Sequence, residues 1–275
     1  MDSLYGLIGE KLGHSISPLI HSIIFEKLQK ESFYHLFQIN REELGLSIEG
    51  LKVLGAKGVN VTIPYKTDVI DCLDSISDES RRIGSVNTIQ FTDKGTIGHN
   101  TDYLGLKRTF ERYDIDIKDK KAVVLGSGGV AITVVQLLLD LGAREISMFV
   151  RDINKMQNKE LFKDINVFTY DRFKDIEAHE ILINCTPSGM YPNIEESPVE
   201  KDYLSGFEAV IDLIYNPKET LLLKYARELG IKGVNGLYML VAQAIEAQKI
   251  WNAVEFSEVF LEDVFNEVEK SCGWL

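Results

Sequence analysis

Ala122-Val123-Val124-Leu125-Gly126-Ser127-Gly128-Gly129-Val130-Ala131 is the stretch on which the fold turns. Four consecutive apolar residues read as a strand, and the apolar run that follows, to Leu141, reads as a helix. Between them stands Gly-x-Gly-x-x-Ala, in the strand-to-helix context that motif requires. The first glycine permits the tight turn, the second lets a pyrophosphate approach the backbone, and Ala131 lets helix and strand pack closely. A phosphate would then sit on Gly126, Ser127, Gly128, Gly129 and Val130 at the helix N-terminus. The plainer alternative is a glycine-rich turn without a ligand.

The next strand, Ile146 to Val150, ends in Val150-Arg151-Asp152-Ile153-Asn154-Lys155. An NAD-specific site would show Asp or Glu at the discriminating position, to bind the ribose hydroxyls. Here Arg151 occupies it, and with Lys155 one helical turn later it would clasp a 2′-phosphate, which favours NADP. Asp152 would repel that phosphate yet accept ribose hydroxyls, so NAD stays open. Two solvated charges at a helix start are the alternative.

Working outward, the first hundred residues alternate strand and helix signals: Leu4 to Gly9, a helix after Ser17-Pro18, Phe33 to Ile39, a helix from Glu42, then Gly58 to Ile63. That alternation implies parallel strands with helical crossovers. Thr101 to about Tyr113 reads as a joining helix, with the first boundary near Leu104. Ala209 to Leu213 reads as a strand, Glu219 to Leu229 as a helix stopped by Gly230, and Leu237 to Trp251 as a helix able to return to the first unit. A chain of 275 residues suits two such α/β domains, with a crevice between them.

The net charge of −12 and the lack of a basic run argue against nucleic acid or an anionic membrane as partner, leaving a small molecule. No apolar run reaches the roughly 18 residues that span a bilayer, and Met1-Asp2-Ser3 lacks a basic signal region, so a cytoplasmic protein is expected. Cys72, Cys185 and Cys272 have no paired spacing, and the five histidines show no ligand spacing, so neither disulfides nor a metal are expected.

Asn60-Val61-Thr62-Ile63-Pro64-Tyr65-Lys66 and Asn100-Thr101-Asp102 each place polar groups at the end of a strand-like run, where an α/β sheet presents ligands. Lys66 and Asp102 would meet in one cleft. Together with Gly9 to Pro18, Gly84-Ser85-Val86-Asn87-Thr88, Asn184 to Met190, Asp212 to Pro217 and Asn235-Gly236-Leu237 through Gln243, these motifs resemble, nearly end to end, the shikimate dehydrogenase family.

The resemblance implies an N-terminal substrate-binding catalytic domain (1–104, with 237–275 packing back on it) and a Rossmann NADP-binding domain (105–236). It implies reversible NADPH-dependent reduction of 3-dehydroshikimate to shikimate in chorismate and aromatic amino-acid biosynthesis. The alternative is a quinate/shikimate dehydrogenase using NAD or both cofactors. Lys66 and Asp102 would be catalytic. Ser15 and Ser17, helped by Tyr215, would hold the substrate carboxylate, and Asn60, Thr62, Asn87 and Gln243 its hydroxyls or carboxylate. Leu213 and Gly236 would border the nicotinamide, and the protein would be a monomer or homodimer. Local readings stand beside these roles: Ser17 before Pro18 as a helix N-cap, Asp102 as a cap of the helix after it, Lys66 as an ordinary surface lysine, and Asn60 or Asn87 as a structural turn residue. Val150 and Asp152 around the arginine, and Tyr238 in place of a frequent glycine, depart from the family's usual pattern.

Overall fold

The computed structural model describes residues 3–13, 15–155, 162–176 and 179–273, with Lys155 by its backbone alone. The chain divides into two compact units, one of Met1–Gly105 with Leu240–Gly273, and a second comprising Leu106–Met239.

The first unit holds a six-stranded sheet. Its elements are β1 (Ser3–Gly9), α1 (Ser17–Lys27), β2 (Ser32–Gln38), α2 (Leu44–Val53), β3 (Gly58–Val61), β4 (Ser75–Ile76), α3 (Asp78–Ile83), β5 (Thr88–Thr92) and β6 (Gly95–His99). The strand order is β2-β1-β3-β5-β6-β4. The strands expected from the alternation, β1, β2 and β3, are parallel, whereas β5, which that reading did not include, runs antiparallel to both β3 and β6. The tight turn at Asp93-Lys94 leaves no room for a crossover, so β5 and β6 form a hairpin. A consequence for the site is that β3 and β6 point the same way, and their carboxyl ends share one edge.

The strand from Gly58 is also shorter than its apolar run. It stops at Val61, and Ile63 is 70% exposed, because the chain turns at Pro64, which has no N–H to continue a ladder.

Helix α7 (Leu237–Asn252) comes back to this sheet through its last turns. Trp251 stacks on Tyr5 with ring centroids 5.0 Å apart, and its Nε1 donates to the Ile89 carbonyl at 2.9 Å. Gly58 makes this possible, since a Cβ there would run into the indole ring. Helix α8 (Glu258–Ser271), capped by the Ser257 hydroxyl, packs on α1.

The second unit begins within α4 (Thr101–Arg112). It contains β7 (Lys121–Leu125), α5 (Gly129–Asp140), β8 (Glu145–Val150), β9 (Asn166–Thr169), β10 (Ile181–Asn184), β11 (Ala209–Asp212), α6 (Leu221–Glu228) and β12 (Lys232–Asn235). All six strands are parallel, in the order β12-β11-β10-β7-β8-β9. Strand order reverses between β7 and β10, the doubly wound arrangement whose ligands bind at that switch point. β10 and β11 are buried along their whole length, as is β7 after Lys121, which accounts for their uninterrupted apolar sequences. Among the described residues no helix is long and apolar enough to cross a membrane.

Candidate active site

At the shared edge of the first sheet, Asn60 pairs with Thr88, and Thr88 with His99. Lys66 follows β3 by a short turn that is pinned three ways. Thr62 N–H donates to the Ile8 carbonyl at 2.9 Å, the fully buried Tyr65 donates its hydroxyl to the Ile39 carbonyl at 2.8 Å, and Val86 N–H donates to the Lys66 carbonyl at 2.8 Å. Asp102 lies in the first turn of α4, where the helix dipole favours a carboxylate. The two side chains meet at 2.7 Å, Nζ to Oδ2, with the lysine side chain 14% and the aspartate 10% exposed.

Asp102 does not cap α4. Asn100 does, accepting from Tyr103 N–H at 3.2 Å while its own amide donates to the Ser85 carbonyl. The aspartate is thereby left to face the lysine. Ser17 is likewise not the cap of α1: the N-cap is Ile16, and Ser17 lies inside the first turn, its N–H 3.3 Å from Ser15 Oγ.

Asn60, Asn87 and Gln243 are all under 10% exposed and belong to one polar network. Tyr34 donates its hydroxyl to Asn60 Oδ1 at 2.8 Å, and Asn60 Nδ2 donates to Thr88 Oγ1 at 3.0 Å and to the Asn87 carbonyl at 3.3 Å. Both amide hydrogens of Asn60 are thus engaged within the protein. Asn87 Nδ2 reaches Gln243 Oε1 at 3.4 Å, and Thr101 N–H donates to Asn87 Oδ1 at 2.7 Å.

Behind Asn60, His21 stacks on Tyr34 with centroids 4.0 Å apart, and Gln248 Nε2 lies 2.9 Å from its Nδ1. Burial drives the His21 pKa down to about 3, with nearby Asn60 opposing the fall weakly, so the ring is neutral. Tyr34, His21, Thr88, Thr101 and Gln248 were not singled out from sequence. Thr88 and Thr101 lie inside the quoted motifs, whereas Tyr34 and His21 carry no motif signal.

In the second unit, Gly126 follows β7 at φ 96°, and a Cβ on it would come within 2.9 Å of Thr186 Cγ2. The turn is thus closed to any larger residue. Gly128 caps α5 without a side chain, and the space where its Cβ would stand is open. An open N-terminus at the switch point is what a pyrophosphate requires, so these residues fit a dinucleotide. Arg151 is exposed at the end of β8, whose Phe149 carbonyl accepts from Gly126 N–H at 2.8 Å. Asp152 turns Oδ1 to Asn154 N–H at 2.9 Å, capping a short 3-10 turn. The Lys155 side chain lies outside the described residues. Gly236 abuts Leu213 so closely that a Cβ would run into the Leu213 carbonyl, and Tyr215 stands on the loop after β11.

Asp212, with no exposed surface, organises these loops. Its Oδ1 accepts from Asn184 Nδ2 at 2.9 Å and Ile214 N–H at 3.1 Å, and its Oδ2 from the Thr220 hydroxyl at 2.6 Å. Asn184 Oδ1 in turn accepts from Thr186, the residue against Gly126. Burial nevertheless pushes the Asp212 pKa up to about 6. A raised carboxyl pKa means the folded state holds a proton that the unfolded chain releases, so this contribution is lost as pH rises from about 4 to about 6. We expect the unfolding free energy of wild type relative to Asp212→Asn to fall across that window by up to about 3 kcal/mol and to be flat above it. Urea titrations at successive pH values measure this, and a pH-independent difference would count against the assignment.

Residues 7–89 match the family described as shikimate dehydrogenase substrate binding domain. A Clostridium beijerinckii protein named shikimate dehydrogenase (NADP(+)) is 44% identical over 265 residues, covering 96% of this chain and 97% of its own. The chain belongs to the shikimate dehydrogenase family. Proteins of known structure in this family are similar to the chain. A chorismate mutase/shikimate 5-dehydrogenase fusion protein from Clostridium acetobutylicum matches at TM-score 0.94 and 45% identity, over 98% of each chain. Shikimate 5-dehydrogenase from Thermus thermophilus, solved in complex with NADP(H) and shikimate, matches at TM-score 0.85 and 26% identity, over 96% of this chain and 99% of that one.

Proposed function

We propose that the chain is an NADP-dependent oxidoreductase that interconverts 3-dehydroshikimate and shikimate, a step towards chorismate and the aromatic amino acids. The observation that carries this reading is the Lys66–Asp102 pair at 2.7 Å, set beside Asn87 and Gln243 in a chain of this family. Residues 1–104 and 237–275 would hold the substrate, and 105–236 the cofactor.

NADPH supplies the hydride for the substrate's ketone carbon. The chain's own part is to hold the ketone and manage its proton. The Lys66 ammonium has three donors, one of them engaged by Asp102, and a second can polarise the carbonyl oxygen and then protonate it. Asp102 is acceptor-only when ionised, so it fixes the direction of the ammonium and uses its other oxygen for a substrate hydroxyl. Asn87 and Gln243 each keep one amide hydrogen for the ligand after their internal bonds are counted. Ser15, Ser17 and Tyr215 would take the carboxylate, with Thr62 on a ring hydroxyl. On the cofactor, Gly126 to Val130 would cradle the pyrophosphate, Arg151 and Lys155 the 2′-phosphate, and Leu213 and Gly236 the nicotinamide. We place the protein in the cytoplasm as a monomer or homodimer.

The test is the initial rate at the reduced-nicotinamide absorbance band, with shikimate and quinate each offered NADP and NAD. Turnover of shikimate with NADP far above the other three pairings is expected. Comparable rates with quinate or NAD would move the chain to the broader-specificity branch, and no turnover would end the catalytic reading.

A further inference from the structure

The Thr101 hydroxyl, fully buried, stands where three polar side chains converge. Its Oγ1 lies 3.1 Å from Thr88 Oγ1, 3.2 Å from Asn87 Oδ1 and 3.2 Å from Gln243 Oε1. A hydroxyl carries one proton, so it donates to only one of them.

Asn87 Oδ1 has other donors: Thr101 N–H at 2.7 Å and the Thr88 hydroxyl at 3.1 Å fill its two lone pairs. For Gln243 Oε1, the only other donor among the described residues is Asn87 Nδ2, at 3.4 Å. The Thr101 proton therefore goes to Gln243, and Thr88, which accepts from Asn60, passes its own to Asn87.

This fixes the Gln243 amide. Its oxygen is held by Thr101 and one of its N–H groups by the Leu240 carbonyl at 3.1 Å, which leaves the second N–H as a donor. Reversing the amide would set oxygen against the Leu240 carbonyl and NH2 against the NH2 of Asn87, two contacts of like sign. We propose that Thr101 is a positioning residue for substrate. Its hydroxyl anchors the Gln243 oxygen, and with it the whole amide, in the place from which the remaining N–H meets an oxygen of the polyol acid. This rests on the reading of Gln243 as a substrate ligand.

A mutant cycle tests it. Thr101→Val removes the hydroxyl at similar size, and Thr101→Ser keeps it. Loss of one buried hydrogen bond should raise the shikimate KM of Thr101→Val about tenfold, with kcat and the NADP KM within about twofold of wild type. Thr101→Ser should stay near wild type, and in a Gln243→Ala background Thr101→Val should add nothing further. Additive effects, an unchanged KM in Thr101→Val, or a serine variant as impaired as the valine one would each overturn the proposal.

A second measurement needs no substrate. In NMR spectra of the ligand-free protein, the Gln243 side-chain N–H that donates to the Leu240 carbonyl should be slow to exchange with solvent in wild type and exchange markedly faster in Thr101→Val, where the amide oxygen has lost its anchor. Unaltered exchange would overturn the role of Thr101. Absence of any shikimate turnover in wild type would instead overturn the functional reading, with the NMR comparison still deciding on Thr101.

Discussion

Replacing Lys66 with alanine is expected to lower kcat by about 10²-fold or more while changing the shikimate KM modestly, because a placed proton donor acts mainly in the transition state. The ground-state complex keeps the hydrogen bonds of Asn87 and Gln243, which do not pass through the lysine. The developing charge on the ketone oxygen is then left to water. Folding must be separated from chemistry, since the substitution strips Asp102 of its partner. Breaking a fully buried ion pair costs about 3–5 kcal/mol. The cost here should be smaller, because both side chains keep some exposure and Asp102 remains in the first turn of α4, where the dipole favours it. A thermal melt alongside the kinetics distinguishes the two effects. Lys66→Met, which retains the apolar stem, should be as inactive as the alanine variant and closer to wild type in stability. Near-normal turnover in either variant would remove Lys66 from its role.

The pair was legible in sequence because both members follow the end of a strand within a few residues, Lys66 in the turn after β3 and Asp102 at the start of α4 after β6, at the edge where an α/β sheet presents its ligands. The glycine loop was legible because Gly126 and Gly128 are constraints on the main chain that any sequence with this turn must meet. The antiparallel hairpin was not, because alternating strand and helix signals carry no direction, and only the brevity of Asp93-Lys94 distinguishes a hairpin from a crossover. Nor was the network behind the site. His21, Tyr34 and Gln248 lie on α1, β2 and α7, and Gln248 is 227 residues from the histidine it bonds. Their relation exists only once α7 has returned to the sheet, through Trp251 over Gly58. Asp212 shows a third limit. Its position in a quoted motif was visible, but its role depends on total burial and on three donors, none of them from an adjacent residue and one from 28 residues away.

On the proposed function, cofactor choice would rest on Arg151, with an effect nearly as large as that of Lys66. Arg151→Ala is expected to raise the KM for NADP about tenfold or more, the size of a charge-assisted hydrogen bond of about 1.5–3 kcal/mol, and to leave the KM for NAD within about twofold. Arg151 is exposed at the carboxyl end of β8, the strand whose Phe149 carbonyl holds Gly126 N–H, so its guanidinium starts close to the glycine turn. It is permanently charged and can bind a phosphate bidentately, a contact that NAD does not offer. Asp152 would argue the other way if its carboxylate were directed to the ribose. One of its oxygens is tied to Asn154 N–H, which gives the acid a local reason to be there. Because the arginine is solvent-exposed, its contribution should weaken with salt. The NADP KM of wild type should rise with ionic strength more steeply than that of Arg151→Ala. Equal effects of the substitution on NADP and NAD, or parallel salt dependences in wild type and variant, would mean that Arg151 does not read the 2′-phosphate, and the selectivity would then have to come from elsewhere in the loop after β8.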